Sequence, residues 1–301
     1  MRIPAIIGVT LTAVFTTGTV AAQEGDRFNW YDTGWVPFQA AQIDARFPYL
    51  LYVPRDYDPD GTRTYPLLVL VHGTERGPRD YLNHNVEFAE EQDVILLAPL
   101  FPFNSHGNLD LENYKLIDYE GTRYDLVLLS IVDEVASKYR LTHDNRFNMF
   151  GFSGGGHFTH RFYYLHPHRL NAISIGAPGM VTLLNDPRPW WVGTGNLKDR
   201  FNARLDFEQL RRVRVHMVIG EEDTQEWSGE IPRNSQYYLE GVDGASFAAA
   251  GRNRIERMRT LRQNFEENGI AVEMVLVPGA GHETDRMFPA MQDFFREAIV
   301  R

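Results

Sequence analysis

Gly151-Phe152-Ser153-Gly154-Gly155-Gly156 matches the pattern G-x-S-x-G. Its surroundings say more than the pattern does. Phe147-Asn148-Met149-Phe150 before it reads as a strand, and residues 156–165 after it read as a helix. A serine on a sharp strand-to-helix turn sits in strained backbone, and a Cβ on either side would clash. Such a turn lifts the Ser153 hydroxyl clear of the sheet and aims the helix N-terminus at a developing negative charge. A glycine-rich turn cradling a phosphate is the competing reading; the strand–turn–helix context favours a nucleophile.

A serine hydroxyl is a weak nucleophile until a base takes its proton. Of the 10 histidines, His282 follows the last expected strand in Pro278-Gly279-Ala280-Gly281-His282-Glu283. Open α/β sheets place their sites at such strand C-terminal ends. The imidazole needs a carboxylate to fix its tautomer. Asp223, after the strand at 213–219 in Gly220-Glu221-Glu222-Asp223, is the expected acid; Glu221 and Glu222 remain alternatives, with Asp285 behind them. Acyl transfer also needs amides that hold an oxyanion. The expected donors are Gly154, directly after the nucleophile, and Thr74, in the loop His72-Gly73-Thr74. His72 itself is expected to fix that loop.

Around this centre, strand-like and helix-like segments alternate. Strands are expected at 49–53, 67–71, 94–98, 147–152, 170–175, 213–219 and 272–277. Helices are expected at 123–140, in the Arg-rich stretch 252–262 with a stop at Gly269, and at 285–300. The alternation implies an α/β fold, with a mostly parallel central sheet flanked by helices. The Arg-rich helix is expected to show a solvated basic face. The segment 178–210, rich in Trp, Pro, Asn and Gly, is expected to form a short lid insertion over the sheet.

The chain has 301 residues, 43% of them apolar and 23% charged, a globular composition. With no cysteine there is no disulfide framework, thiolate nucleophile or Cys-ligated metal. A formal net charge of −10 argues against tracking nucleic-acid phosphates. Residues 1–22 read as a signal peptide: Arg2, an uncharged stretch over 3–20, then Val20-Ala21-Ala22 for cleavage. Five threonines in that stretch make a poor membrane span. One domain is expected over 23–301, acting in a secreted or periplasmic setting.

His157, His160, His166 and His168 cluster after the elbow among aromatics, where packing is expected rather than a metal. Trp190, Trp191, Trp227, Phe101 and Phe103 fall in expected loops at the site end. Trp190, Trp191, Trp227 and Phe101 are the candidates for a substrate-binding wall suited to an aryl or hydrophobic acyl group.

The order Ser153, Asp223, His282 is the chain order of α/β-hydrolases, and the chain resembles that superfamily across nearly all of 23–301. Within it the chain is similar to secreted polyhydroxybutyrate depolymerase-like and feruloyl-esterase-like serine esterases. Tyr52-Val53-Pro54, residues 66–73, Asp144-Asn145-Arg146 before the elbow, residues 220–223 and Gly281-His282 carry the likeness. The resemblance implies an α/β-hydrolase fold and hydrolysis of a small or polymeric carboxylic ester without metal or organic cofactor. A peptidase or lactonase with the same triad, or a silent homologue used as a binding protein, are the alternatives.

Overall fold

A computed structural model describes residues 28–107, 110–142, 146–227, 229–242 and 248–299. The expected signal peptide and Asp144-Asn145 lie outside the described residues. Nine strands form one sheet. They are β1 (Gly34–Trp35), β2 (Gln39–Ala40), β3 (Pro48–Val53), β4 (Leu67–Val71), β5 (Ile95–Pro99) and, beyond a small hairpin of β6 (Asp118–Tyr119) and β7 (Thr122–Arg123), β8 (Phe147–Phe152), β9 (Leu170–Gly176), β10 (Arg214–Gly220) and β11 (Val272–Val277). The order is β1-β3-β5-β4-β8-β9-β10-β11, with β2 on β3. Pairings that involve β3 are antiparallel; those from β5 to β11 are parallel. This is the expected mostly parallel sheet.

Helices cover it: α1 (Pro78–Asn83), α2 (Val86–Gln92), α3 (Tyr124–Lys138), α4 (Gly154–Leu165), α5 (Leu197–Phe201), α6 (Phe207–Leu210), α7 (Arg254–Glu267) and α8 (Phe288–Ala298). Because helices shield both faces, every residue of β4, β5 and β8 is buried, and β4 and β5 read as continuous apolar runs rather than as alternation. On α3, Leu128, Ile131, Val132 and Val135 face the core; on α8, Met291, Phe294 and Phe295 do. Gly269, past the end of α7, has φ +76, the left-handed stop its position suggested.

Two registers place the loops that matter. Val71 on β4 lies opposite Gly151 on β8, which sets the loop holding Thr74 beside the turn holding Ser153. Gly220 on β10 lies opposite Val277 on β11, which sets the loop of Asp223 beside that of His282. All four loops leave the C-terminal ends of parallel strands, where such sheets keep their sites.

One expectation is corrected and two are refined. The segment 178–210 is packed against the rest of the protein. Its Met180, Val181, Leu184, Val192, Leu197 and Phe201 are buried, because its apolar side chains outweigh its Gly, Pro and Asn. Trp190 and Trp191 are buried with it and make no wall beside Ser153. Their indole N–H groups donate to the carbonyls of Leu116 and Tyr237, which satisfies each ring's polar atom inside the core. Phe101 is also core: it is fully buried, stacked on Tyr114 with centroids 5.3 Å apart and packed on Tyr124 and Phe158. Finally, α7 has the expected solvated basic face with Arg259 and Arg262, while Arg254 and Arg257 are buried. Arg254 shares the stripe of Met258, Leu261 and Phe265, so the apolar face of the helix continues through it.

If Phe101 is core, Phe101→Ala should destabilise the fold by about 3–5 kcal/mol in urea unfolding. A loss under about 1 kcal/mol would return Phe101 to the pocket wall.

Candidate active site

Ser153 sits between β8 and α4 with φ 55° and ψ −113°, a backbone conformation that costs a non-glycine residue of order 1–3 kcal/mol. Neighbouring glycines make room for it. A Cβ on Gly155 would land on the carbonyl oxygen of Val71, and one on Gly151 on that of Gly155. The Ser153 amide donates to Gly176 O at 2.8 Å, which ties the turn to β9.

The hydroxyl meets the expected base. His282 Nε2 lies 3.0 Å from Ser153 Oγ, and His282 Nδ1 lies 2.6 Å from Asp223 Oδ2. Ser153, His282 and Asp223, far apart in sequence, form one hydrogen-bonded chain. The carboxylate alternatives are not part of it. Glu221 and Glu222 are exposed, and their amides donate to Val277 and Ala280 to close the turn. Asp285 is exposed and lines the same cleft as His282 without joining the hydrogen-bonded chain. Phe152 packs on the imidazole with centroids 4.7 Å apart, which limits the ring's swing.

The Thr74 and Gly154 amides are close neighbours: a Cβ on Gly154 would lie 3.2 Å from Thr74 N. Among the described residues neither amide has a protein acceptor. Several side chains hold the Thr74 loop. Tyr114 OH donates to His72 O at 2.9 Å. Arg76, itself at φ 60°, donates from Nη1 to Thr74 O at 2.5 Å and from Nε to Phe101 O at 3.1 Å. His72 is fully buried, with Nδ1 2.8 Å from Gly73 O and Nε2 accepting from the Phe101 amide at 3.0 Å. It fixes the loop, as expected.

The acid has a second partner that the sequence reading missed. Arg254 Nη1 donates to Asp223 Oδ1 at 2.9 Å. Burial acts to raise the pKa of Asp223, but its contacts with His282 and Arg254 outweigh burial and hold it below the ordinary carboxylate value. The available signal was the helical spacing of Arg254 with the apolar stripe of α7.

Two clefts meet at Ser153. One, of about 580 Å³, is walled by Thr74, Gly154, Lys115, His157, Trp227 and Tyr237 among others. Trp227 lines this cavity, and Gly179 and Met180 are the only part of 178–210 that reaches it. The other, of about 540 Å³, holds His282 and Phe152 with Tyr81, Asp285 and Phe288. Lys115 pairs with Glu112 at 2.8 Å on the wall of the first cleft, and burial lowers its pKa. Neither residue carried a motif. Their loop is anchored by Arg161, whose Nη1 donates to Lys115 O at 2.6 Å.

His157 and His160 serve packing. His157 Nε2 accepts from the Met180 amide and His160 Nε2 from that of Thr182, which stitches α4 to the following segment. Among the described residues no group of three or more His, Asp or Glu could hold a metal ion, and no helix is long and apolar enough to cross a membrane.

No known family profile matches the chain, and no curated protein matches it by sequence. Solved structures do. Poly(aspartic acid) hydrolase-1 from Sphingomonas sp. KT-1 is similar at 20% identity and a TM-score of 0.62, over 82% of this chain and 92% of that one. A poly(3-hydroxybutyrate) depolymerase from Bordetella parapertussis is similar at 20% identity and 0.60, over 85% of both chains. A ferulic acid esterase is similar at 17% identity and 0.57, over 87% of this chain and 95% of that one. The chain has the α/β-hydrolase fold, as its sequence resemblance implied.

Burial pushes His72 down to about 3 and His216 to about 4, and holds His157 and His160 well below the usual histidine range. In the unfolded chain such rings titrate near about 6.5. Below that pH the unfolded state binds protons that the folded state refuses, so stability falls as pH drops towards the folded values. His72→Gln should flatten the slope of unfolding free energy between about pH 6.5 and 4 by up to about 1.4 kcal/mol per unit. Urea unfolding across that range checks it; an unchanged slope would contradict a neutral, buried His72.

Proposed function

We propose that this chain is an exported serine hydrolase that cleaves a carboxylic ester through an acyl-enzyme. The single observation that carries the reading is the hydrogen-bonded chain Ser153–His282–Asp223 at 3.0 and 2.6 Å. Ser153 Oγ attacks the ester carbonyl carbon while His282 Nε2 takes its proton. Asp223 orients His282 and stabilises the imidazolium. The carbonyl oxygen, now negative, is held by the unpartnered amides of Thr74 and Gly154. The tetrahedral adduct collapses, His282 returns the proton to the departing alcohol, and the acyl group stays on Ser153. Water repeats the sequence and frees the acid. No metal or organic cofactor enters these steps.

The proton's route orients the substrate. His282 must reach the leaving oxygen, so the alcohol belongs in the cleft that contains His282. The acyl group belongs in the cavity bordered by Thr74, Gly154 and Trp227. Both are wide enough for a group larger than acetyl. The depolymerase and the ferulic acid esterase among the similar structures support an ester substrate, and the poly(aspartic acid) hydrolase keeps an amide as the second reading. Arg2 and the uncharged stretch over 3–20 support export.

Ser153→Ala should lower kcat on a short chromogenic ester by on the order of 10⁴ to 10⁶ with the fold intact. Near-full activity in this variant would refute the nucleophile.

The acid is tested separately. Asp223→Asn keeps the shape but presents the wrong group to His282 Nδ1, and should lower kcat by roughly 10⁴, the magnitude known for the same substitution in a serine protease. Glu221→Gln and Glu222→Gln should stay within about threefold of wild type, as exposed side chains outside the chain of hydrogen bonds do. A large loss at Glu222 with Asp223→Asn active would move the acid.

A further inference from the structure

Arg254 pairs with the acid of the site from inside the protein. Its side chain is 8% exposed and that of Asp223 is 2% exposed. Burying a guanidinium is unfavourable unless a partner compensates. Among the described residues the one carboxylate within ion-pair distance of it is Asp223. The carboxylate is thus divided: Oδ1 accepts from Arg254 at 2.9 Å, and Oδ2 faces His282 Nδ1 at 2.6 Å. With Oδ1 pinned, rotation about Cβ–Cγ is blocked and Oδ2 stays aimed at the imidazole.

Arg254 is itself held in place. It opens α7, whose start is capped by the Asn253 side chain accepting from the Glu256 amide at 2.9 Å. Its guanidinium carbon stands 4.1 Å from the centroid of the Trp227 ring. Arg257, one turn on, lies 5.3 Å from that ring and donates to Gly179 O at 2.7 Å. Arg254 borders both clefts that meet at Ser153.

We propose that Arg254 is a positioning residue of the hydrolytic site: it fixes Asp223 so that His282 is held in register with Ser153, and its stacking on Trp227 ties that alignment to the wall of the acyl cavity. This rests on the triad reading above. Arg254 touches no reacting atom, so its removal should act on the chemical step and leave the binding of a small substrate largely alone.

The experiment is steady-state hydrolysis of p-nitrophenyl acetate by wild type, Arg254→Ala and Arg254→Lys, the alanine variant also with millimolar guanidinium added. Arg254→Ala should lose about 10- to 100-fold in kcat, the loss expected for one charge-assisted hydrogen bond, with KM within about threefold. Lysine at 254, or guanidinium filling the vacated space, should restore part of kcat. The low-field proton NMR signal of the His282–Asp223 hydrogen bond gives a readout independent of turnover: it should shift or vanish in Arg254→Ala and return in Arg254→Lys. A kcat within about threefold of wild type in Arg254→Ala, or a loss that neither cation restores while the NMR signal stays put, overturns the proposal. If wild type hydrolyses no ester, the triad reading fails as well, and a low-field signal unchanged in Arg254→Ala then separately rules out the positioning of Asp223.

Discussion

The backbone of Ser153 is the constraint on which the rest depends. At φ 55° it pays strain so that the hydroxyl stands out from the sheet end. The turn closes only because Gly151 and Gly155 carry no Cβ where backbone carbonyls approach them closely. It also needs a fixed partner on each side: Gly176 of β9 accepts its amide, and β4 delivers the Thr74 loop through the Val71–Gly151 register. A sheet of buried parallel strands supplies that rigidity without a disulfide, since the chain has no cysteine.

The fold was legible where a pattern was long enough to have a period. The strands 67–71, 147–152 and 272–277 appear with the boundaries expected, because each is a short, mostly apolar stretch ended by turn residues. Strands β1 and β2, with two residues each, carry no alternation to read. Helices α1 and α2 are one to two turns long and are fixed by what Tyr81, Leu82 and Phe88 bury, not by periodicity. In the segment 178–210 composition hides burial: glycine and proline shape its path, but Val181, Leu184, Trp190 and Val192 between them are core.

The centre of the site was legible for a different reason. Ser153, Asp223, His282, Thr74 and Gly154 each follow a strand and a glycine, and the sheet brings those strand ends together. Residues that border the centre from the side left no such mark. Arg254 and Lys115 are charges inside the molecule, and burial of a charge is decided by a distant partner, here Asp223 and Glu112. Aromatic residues in loops proved ambiguous: Trp227 borders the cavity, whereas Trp190, Trp191 and Phe101 are buried in the core.

The proposed function carries a covalent consequence: the hydroxyl of Ser153, hydrogen-bonded to His282, should be the activated one. The direct measurement is intact-protein mass spectrometry after exposure to a fluorophosphonate, followed by peptide mapping. The account predicts one phosphonyl adduct per chain, on the peptide that contains Ser153. An unlabelled protein, or an adduct that maps to another serine, would contradict it.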